Sequence, residues 1–424
     1  MWNGSAGHRW AMTSDLAADL LRNGYEALPH ARARRGHGDA FRARLLGRRT
    51  LVVRGEEGAR VLYDESRIRR LRAVPAPLAG LLFGKGAVHG LDGEEHRARK
   101  RIFLELLSDE AVDDLATLVD GALARALDDW SLTPGVRLHD GLVRVYGTAV
   151  LAWGGTGCTG REAEEVARDL ADVVAGFGFR GAAYARAWRA RMRVDAWARD
   201  LVRRARAGEL HPAEGTALHA FALGAGADLP VPVAAVDLLN VLRPTVAVSW
   251  LGTFAAMALA EHPDEARLLT GDGSEPYLRA FADEVRRTTP FVPALTGVAT
   301  TDFRTHLHHV RAGDRILLDV PGTNRHPREW SWAGQFQPAR FLEQPPGEYR
   351  FVPQGAGPPE GHRCPGEGVT TALLVVTLRH LARTGFRLTS GPVPTDQMPT
   401  LPAGLTISEV VPADDGSRPF VPVR

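Results

Sequence analysis

Cys364 sits in Gly361-His362-Arg363-Cys364-Pro365-Gly366-Glu367, directly before an apolar run from Val369 to Leu381 that reads as a helix. A helix N-terminus offers unpaired N–H groups and a positive dipole end, and both favour a thiolate over a thiol. Upstream, Phe351-Val352-Pro353-Gln354-Gly355-Ala356-Gly357 supplies glycines that let backbone approach a large planar partner. A thiolate so placed is a candidate iron ligand. The plain alternative is a buried structural cysteine in a turn. A second feature is Arg243, inside the apolar run Leu238-Leu239-Asn240-Val241-Leu242-Arg243-Pro244-Thr245. Burying an arginine is costly unless an anion meets it, either a neighbouring Glu or Asp or an anionic ligand. Pro244 frees the Asn240 carbonyl and is expected to kink the helix.

Three weaker signals accompany these. His96 and Lys100 lie one turn apart in a charged stretch, which by spacing alone is a solvated helix face. Glu284 and Arg287 share a face at i, i+3, an arrangement usually exposed and worth about 0.2–0.5 kcal/mol. His89, in Leu82-Phe83-Gly84-Lys85-Gly86-Ala87-Val88-His89, reads by spacing as an ordinary satisfied histidine.

The elements that must hold these residues are mostly helical. Ser14-Asp15 is expected to cap a helix through Leu21, with Gly24 stopping it. Further helices are expected over 56–63, 93–107, 110–130, 137–153, 161–177, 184–207 and 231–261, several with i, i+3, i+4, i+7 apolar spacing. Phe41–Leu46 and Thr50–Val53 flank Gly47 as a hairpin, short strands follow Phe291, and strands and loops follow Phe386.

The chain has 424 residues and a formal net charge of +2, which gives no reason to expect nucleic acid or an anionic membrane as a partner. Two cysteines argue against a disulfide framework, and Cys158 has no ligand pattern around it. Residues 1–13 lack the apolar core of a signal peptide, and the uncharged run 244–260 is short for a membrane span. A cytoplasmic protein with no stable membrane insertion is expected.

Phe351, Gly355, Gly357 and Arg363-Cys364-Pro365-Gly366 together resemble the haem-thiolate loop of the cytochrome P-450 superfamily. The loop is longer than the common form, by residues placed at Pro358 to Gly361. In this it resembles the bacterial fatty-acid peroxygenases that run on hydrogen peroxide, a branch of α- and β-hydroxylases with an olefin-forming decarboxylase. The resemblance spans almost the whole chain and includes Phe41–Gly47, Pro290-Phe291-Val292-Pro293, Gly322-Thr323-Asn324 and Met398–Pro402. Trp250 and Thr288-Thr289 depart from it.

The resemblance implies a mainly α fold with a small β component, one haem-centred domain over 14–424 after a tail at 1–13. It implies haem b with Cys364 as axial ligand, and Arg70, His96, Lys100 and His362 as partners of the haem propionates. Glu284 and Arg287, with Phe336, Pro338, Arg340 and Phe341, would brace the structure behind the loop. Arg243-Pro244 stands where most oxygen-using members carry an acid–alcohol pair, so Arg243 would hold a fatty-acid carboxylate and hydrogen peroxide would be the co-substrate, with no dedicated redox partner. Phe83, Phe291 and Val292 would line the substrate cavity. His89 corresponds to a histidine in the decarboxylating member and often to glutamine in hydroxylases, and it could donate a proton. Oxidation at Cα or Cβ, or decarboxylation to a terminal alkene, would follow. A reductase-dependent monooxygenase on another substrate and a non-catalytic haem sensor are the alternatives.

Overall fold

A computed structural model describes residues 15–411 except 37, 134, 179–180, 272 and 306–307; Ser14 and the tail expected at 1–13 lie outside them. The Val231–Glu261 helix is the axis of the fold. It packs against the Leu138–Trp153, Gly160–Ala175, Gly181–Arg206, Glu275–Thr288 and Glu367–Arg383 helices. It is apolar nearly all round because neighbours cover nearly all of it. Among the described residues this helix alone is long and apolar enough to cross a membrane, yet 78% of its most apolar window is buried within the fold. Pro244 does not interrupt it: the helix runs unbroken from Val231 to Glu261.

The expected hairpin forms between the Ala40–Leu45 and Arg48–Val53 strands, with Leu45 opposite Arg48. Leu46, expected in the strand, is in the turn with Gly47, at φ of 51° and 73°. Two positive φ values mark the turn type that matches strand twist. Asp15 explains its position. Its carboxylate caps the Leu16–Asn23 helix at Ala17 N (2.9 Å) and also accepts from Leu46 N (2.8 Å) and Gly47 N (2.6 Å).

Five strands form the main sheet, ordered Ala40–Leu45, Arg48–Val53, Arg315–Asp319, Ala294–Ala299, Ile68–Arg69. A smaller sheet joins Val136–Arg137, Thr406–Val411 and Gly385–Thr389. The Ala76–Leu82 helix and the Val88–Gly90 turn, too short to show a period, carry the Phe83–His89 segment.

Glu284 and Arg287 are both completely buried, which overturns the exposed reading of their spacing. Arg287 Nε and Nη2 donate to the two Glu284 carboxylate oxygens at 2.7 and 2.8 Å. The guanidinium also donates to the carbonyls of Asn324, Ala333 and Gln335, while Gln337 N and Arg340 Nε turn to Glu284. The pair closes the segment leading to the cysteine loop. Removing one partner leaves an uncompensated buried charge, which costs about 3–5 kcal/mol. Arg287→Leu is therefore expected to lower the unfolding free energy by about that amount in urea titrations. A change under 1 kcal/mol would mean that the pair is not a brace.

Candidate active site

The cysteine loop is tied down from both sides. Cys364 N donates to the Gln354 carbonyl at 3.1 Å, and the Gln354 side chain bridges Thr370 (2.9 Å) and the Cys364 sulfur (3.9 Å). Gly355 has φ of 116°, and a Cβ there would meet the Tyr63 hydroxyl at 2.8 Å, so only glycine fits. Arg286, nearly buried, pairs with Glu367 and Asp283 and donates to Gln354. Glu367 in turn accepts from Arg363 at 2.6 Å. Gln354, Arg286 and Glu367 were not singled out from the sequence, although all three lie within or beside the motifs that were.

Burial pushes the Cys364 thiol up, overriding the helix terminus; the Gly366 N–H, Lys100 and Arg286 act in the thiolate's favour. A coordinated metal would add the remaining stabilisation, since metal coordination deprotonates a thiol outright. Cys158, by contrast, is a buried thiol pushed up to about 11 with no such surroundings.

Four basic groups crowd one edge of this loop. Lys100 Nζ donates to the carbonyls of Gly361 (2.9 Å) and Arg363. His96 stacks on His362, ring centroids 3.9 Å apart. Arg70 donates to the Thr296 carbonyl, while its buried Nη2 has no hydrogen-bond partner among the described residues. His96 and Lys100 are 4% and 3% exposed, so the solvated-face reading fails. Burial first, then neighbouring cations, hold His96 down to about 4 and His362 to about 2, and burial lowers Lys100 to about 8. Asp92, 3.7 Å from His362, is already engaged by the backbone N–H groups of Arg70 and Leu71. The Lys100 ammonium and the Arg70 guanidinium with its orphaned nitrogen, beside two histidines that an anion would help to protonate, fit a ligand carrying several carboxylates at its edge. With the thiolate donor beside it, this fits haem.

On the long helix, Arg243 is 6% exposed and has no carboxylate within ion-pair distance among the described residues. Its Nη2 donates to Asn240 Oδ1 (3.0 Å), and Asn240 Nδ2 donates to the Phe83 carbonyl (3.0 Å). Burial and then Arg191 pull the guanidinium down to about 9, with the Cys364 thiolate opposing. It stays charged at neutral pH, uncompensated. The neighbouring-acid alternative is thereby removed: Arg191 has Asp195, and Asp237 has Arg99 at 2.6 Å.

Phe83 lies 5.9 Å from the Arg243 guanidinium and stacks on His89 at 4.2 Å. Both His89 and Cys364 are surrounded by protein, yet His89 is exposed and Cys364 partly accessible, as residues facing a ligand site would be. Burial, Arg243, Lys100 and His96 hold His89 down to about 3, so it is neutral at physiological pH. Phe291 packs near Trp250, two turns along the helix from Arg243, and its carbonyl is held by the Tyr25 hydroxyl at 2.7 Å; Val292 follows it, partly accessible. Two outer clefts of about 210 and 270 Å³, near His380 and Arg379, contain none of these residues.

A mainly helical fold with a buried cysteine loop, an ExxR-type buried pair and a cationic edge defines a haem-thiolate protein. The sequence profile described as Cytochrome P450 matches residues 274–406. The chain belongs to the cytochrome P450 family. Its structure is similar to a point variant of cytochrome P450SP alpha, at TM-score 0.89 and 33% identity, covering 94% of this chain and 99% of that one. It is also similar to a variant of cytochrome P450 OleT in complex with arachidonic acid, at TM-score 0.91 and 27% identity, covering 96% and 99%. Among curated sequences, cytochrome P450 137 of Mycobacterium tuberculosis is 31% identical over 130 residues, 30% of this chain and 27% of that protein. The match thus spans little more than a quarter of that relative. Haem held by a cysteine thiolate is the family's cofactor, and Cys364 is the cysteine in place.

The crowded cations generate a pH dependence. His96 titrates near 6.5 when unfolded and about 4 when folded. Between those values the unfolded chain binds a proton that the folded chain refuses, so stability of the haem-free protein falls as pH drops through that window. His96→Gln is expected to flatten the dependence of the urea midpoint on pH. An unchanged slope would show that His96 is not held neutral.

Proposed function

We propose that this chain is a haem-thiolate peroxygenase that uses hydrogen peroxide to oxidise fatty acids at Cα or Cβ. Hydroxylation is the main outcome and decarboxylation to a terminal alkene a second one. The observation that carries the reading is Arg243: a buried guanidinium with no carboxylate among the described residues, bordering the Phe83–His89 segment. The likeness to cytochrome P450 OleT, whose structure holds arachidonic acid, supports a fatty acid as the anion.

Arg243 presents a fork of N–H donors matched to a carboxylate, and its Asn240 contact turns that fork relative to Phe83. Binding an anion there relieves the charge that burial and Arg191 leave uncompensated. When bound, haem supplies an iron at which peroxide is activated, with electron donation from the Cys364 thiolate. The pinned carboxylate stands where other members carry an acid–alcohol pair, and it becomes the group that moves the peroxide proton. Holding the carboxylate leaves Cα and Cβ as the carbons nearest the reaction, so positioning selects them.

His89 contributes first as a neutral ring fixed on Phe83, able to donate one hydrogen bond to the carboxylate. An anion beside it raises its proton affinity, which gives it a donor role only once substrate is bound. Arg70, His96, Lys100 and His362 hold the haem propionates. The protein works in the cytoplasm without a dedicated redox partner.

Arg243→Ala is expected to lower peroxide-driven fatty-acid turnover roughly 100-fold or more while haem stays bound. Gas chromatography of products from a panel of medium- to long-chain acids reads both rate and position. Unchanged turnover would remove the carboxylate clamp, and oxidation that requires NAD(P)H with a reductase would overturn the peroxygenase reading. His89→Gln is expected to reduce the alkene fraction while hydroxylation persists, in the same assay. An unchanged alkene fraction would end the role assigned to that ring.

A further inference from the structure

Residues 290–293 lie in neither helix nor strand, between the Glu275–Thr288 helix and the Ala294–Ala299 strand. Pro290 and Pro293 carry no N–H, so little in the stretch itself can fix it. Among the described residues, two hydrogen bonds reach it. Val320 N donates to the Pro293 carbonyl at 3.3 Å, and the Tyr25 hydroxyl donates to the Phe291 carbonyl at 2.7 Å.

Tyr25 is itself held firmly. It lies in the Gly24–Glu26 turn, is 8% exposed, and its N–H donates to the Thr395 carbonyl at 2.8 Å. Gly24, at φ of 50°, presses on the same loop: a Cβ there would stand 2.5 Å from Asp396 C and 2.6 Å from Thr395 O. The loop runs on to Met398, whose carbonyl leaves no room for a Cβ on Gly178, just past the Gly160–Ala175 helix. Tyr25 is therefore wedged between a braced loop and the 290–293 stretch. Burial pushes its hydroxyl far above the usual range, so it stays a donor at any working pH.

What Tyr25 holds faces the clamp. Phe291 and Val292 are partly accessible, whereas Trp250, with its ring 6.1 Å from that of Phe291, is 2% exposed. Trp250 stands two turns past Arg243 on the same face of the Val231–Glu261 helix. Phe291 thus lies along the side of the long helix that carries the arginine. A carboxylate pinned at Arg243 alone leaves its chain free to swing about that point, and choosing between Cα and Cβ needs a second contact along the chain.

We propose that Tyr25 is a positioning residue for the substrate chain: by holding the Phe291 carbonyl it fixes Phe291 and Val292 as the wall against which the chain lies, and so sets the ratio of Cα to Cβ oxidation. The identity of the substrate rests on the fatty-acid reading above; the hold on the wall does not.

Tyr25→Phe keeps the buried ring and removes only the donor, so the haem-loaded variant should keep its spectrum. Its ratio of α-hydroxy to β-hydroxy acid, read by gas chromatography, should change roughly fivefold, the worth of one neutral hydrogen bond. In a Phe291→Ala background the same substitution should change the ratio no further, because the side chain through which Tyr25 acts is gone. Spectral titration gives a readout apart from turnover. Imidazole, which needs only the iron, should bind wild type and Tyr25→Phe equally, whereas phenylimidazole, which must also clear the wall, should separate them by a similar factor. An unchanged product ratio, equal phenylimidazole affinities, or a full effect of Tyr25→Phe without Phe291 would each overturn the proposal. So would loss of the haem spectrum in Tyr25→Phe, which would make the tyrosine a folding residue. If wild type oxidises no fatty acid, the substrate reading falls, and the phenylimidazole titration alone decides whether Tyr25 holds the wall.

Discussion

Moving an ion from water into a protein interior costs several kcal/mol unless a partner meets it, and this fold buries many. Glu284 with Arg287, Arg286 with Glu367, and Asp237 with Arg99 are met within the chain. The first ties its helix to residues 324–340, ahead of the cysteine loop, and the second ties the same helix to the loop itself. Arg243 has no carboxylate at ion-pair distance among the described residues, the cationic edge of Arg70, His96, Lys100 and His362 is compensated only in part, and buried Arg315 is met by the Leu45 carbonyl rather than by an acid. The compensated charges hold the fold together, and Arg243 with the cationic edge marks where ligands go. Both follow from the same desolvation cost.

The two faces of the site are mechanically linked. Asn240 donates to Phe83 and accepts from Arg243, so one side chain sets the clamp against the wall beside His89. Lys100 binds two carbonyls of the cysteine loop, joining the Gly93–Leu106 helix to it. Its neighbour Arg99 pairs with Asp237 on the long helix. One helix therefore positions the loop and the clamp together. A shift of either would move both, because the intervening groups are close-packed and hydrogen-bonded.

Much of this was legible in the residues. The long helix runs from Val231 to Glu261 as its apolar pattern requires, and the capping aspartate and the hairpin around Gly47 are where their turn chemistry puts them. Legibility ended where a property depended on neighbours distant in the chain. The spacing of Glu284 and Arg287 is the same on an exposed helix as on a buried one; burial came from Asn324, Ala333 and Gln335. His96 and Lys100 looked solvated because their own helix is charged. The short Ala76–Leu82 helix left too little period to read.

Sequence alone determined the chemistry available: a cysteine between glycines ahead of a helix, an arginine and proline in an apolar run, and a histidine after a glycine-rich segment. Those depend on side-chain type and local spacing, which the chain carries wherever it folds. Tertiary structure decided the state of each group. It raised the Cys364 thiol, left Arg243 without a carboxylate and held His89 neutral. Proton affinity and charge compensation are set by what surrounds a group in space, and for these residues the surroundings come from elements up to hundreds of residues away. The cysteine loop could therefore be read from its own residues, whereas the arginine's lack of a partner appeared only once every neighbour was in place.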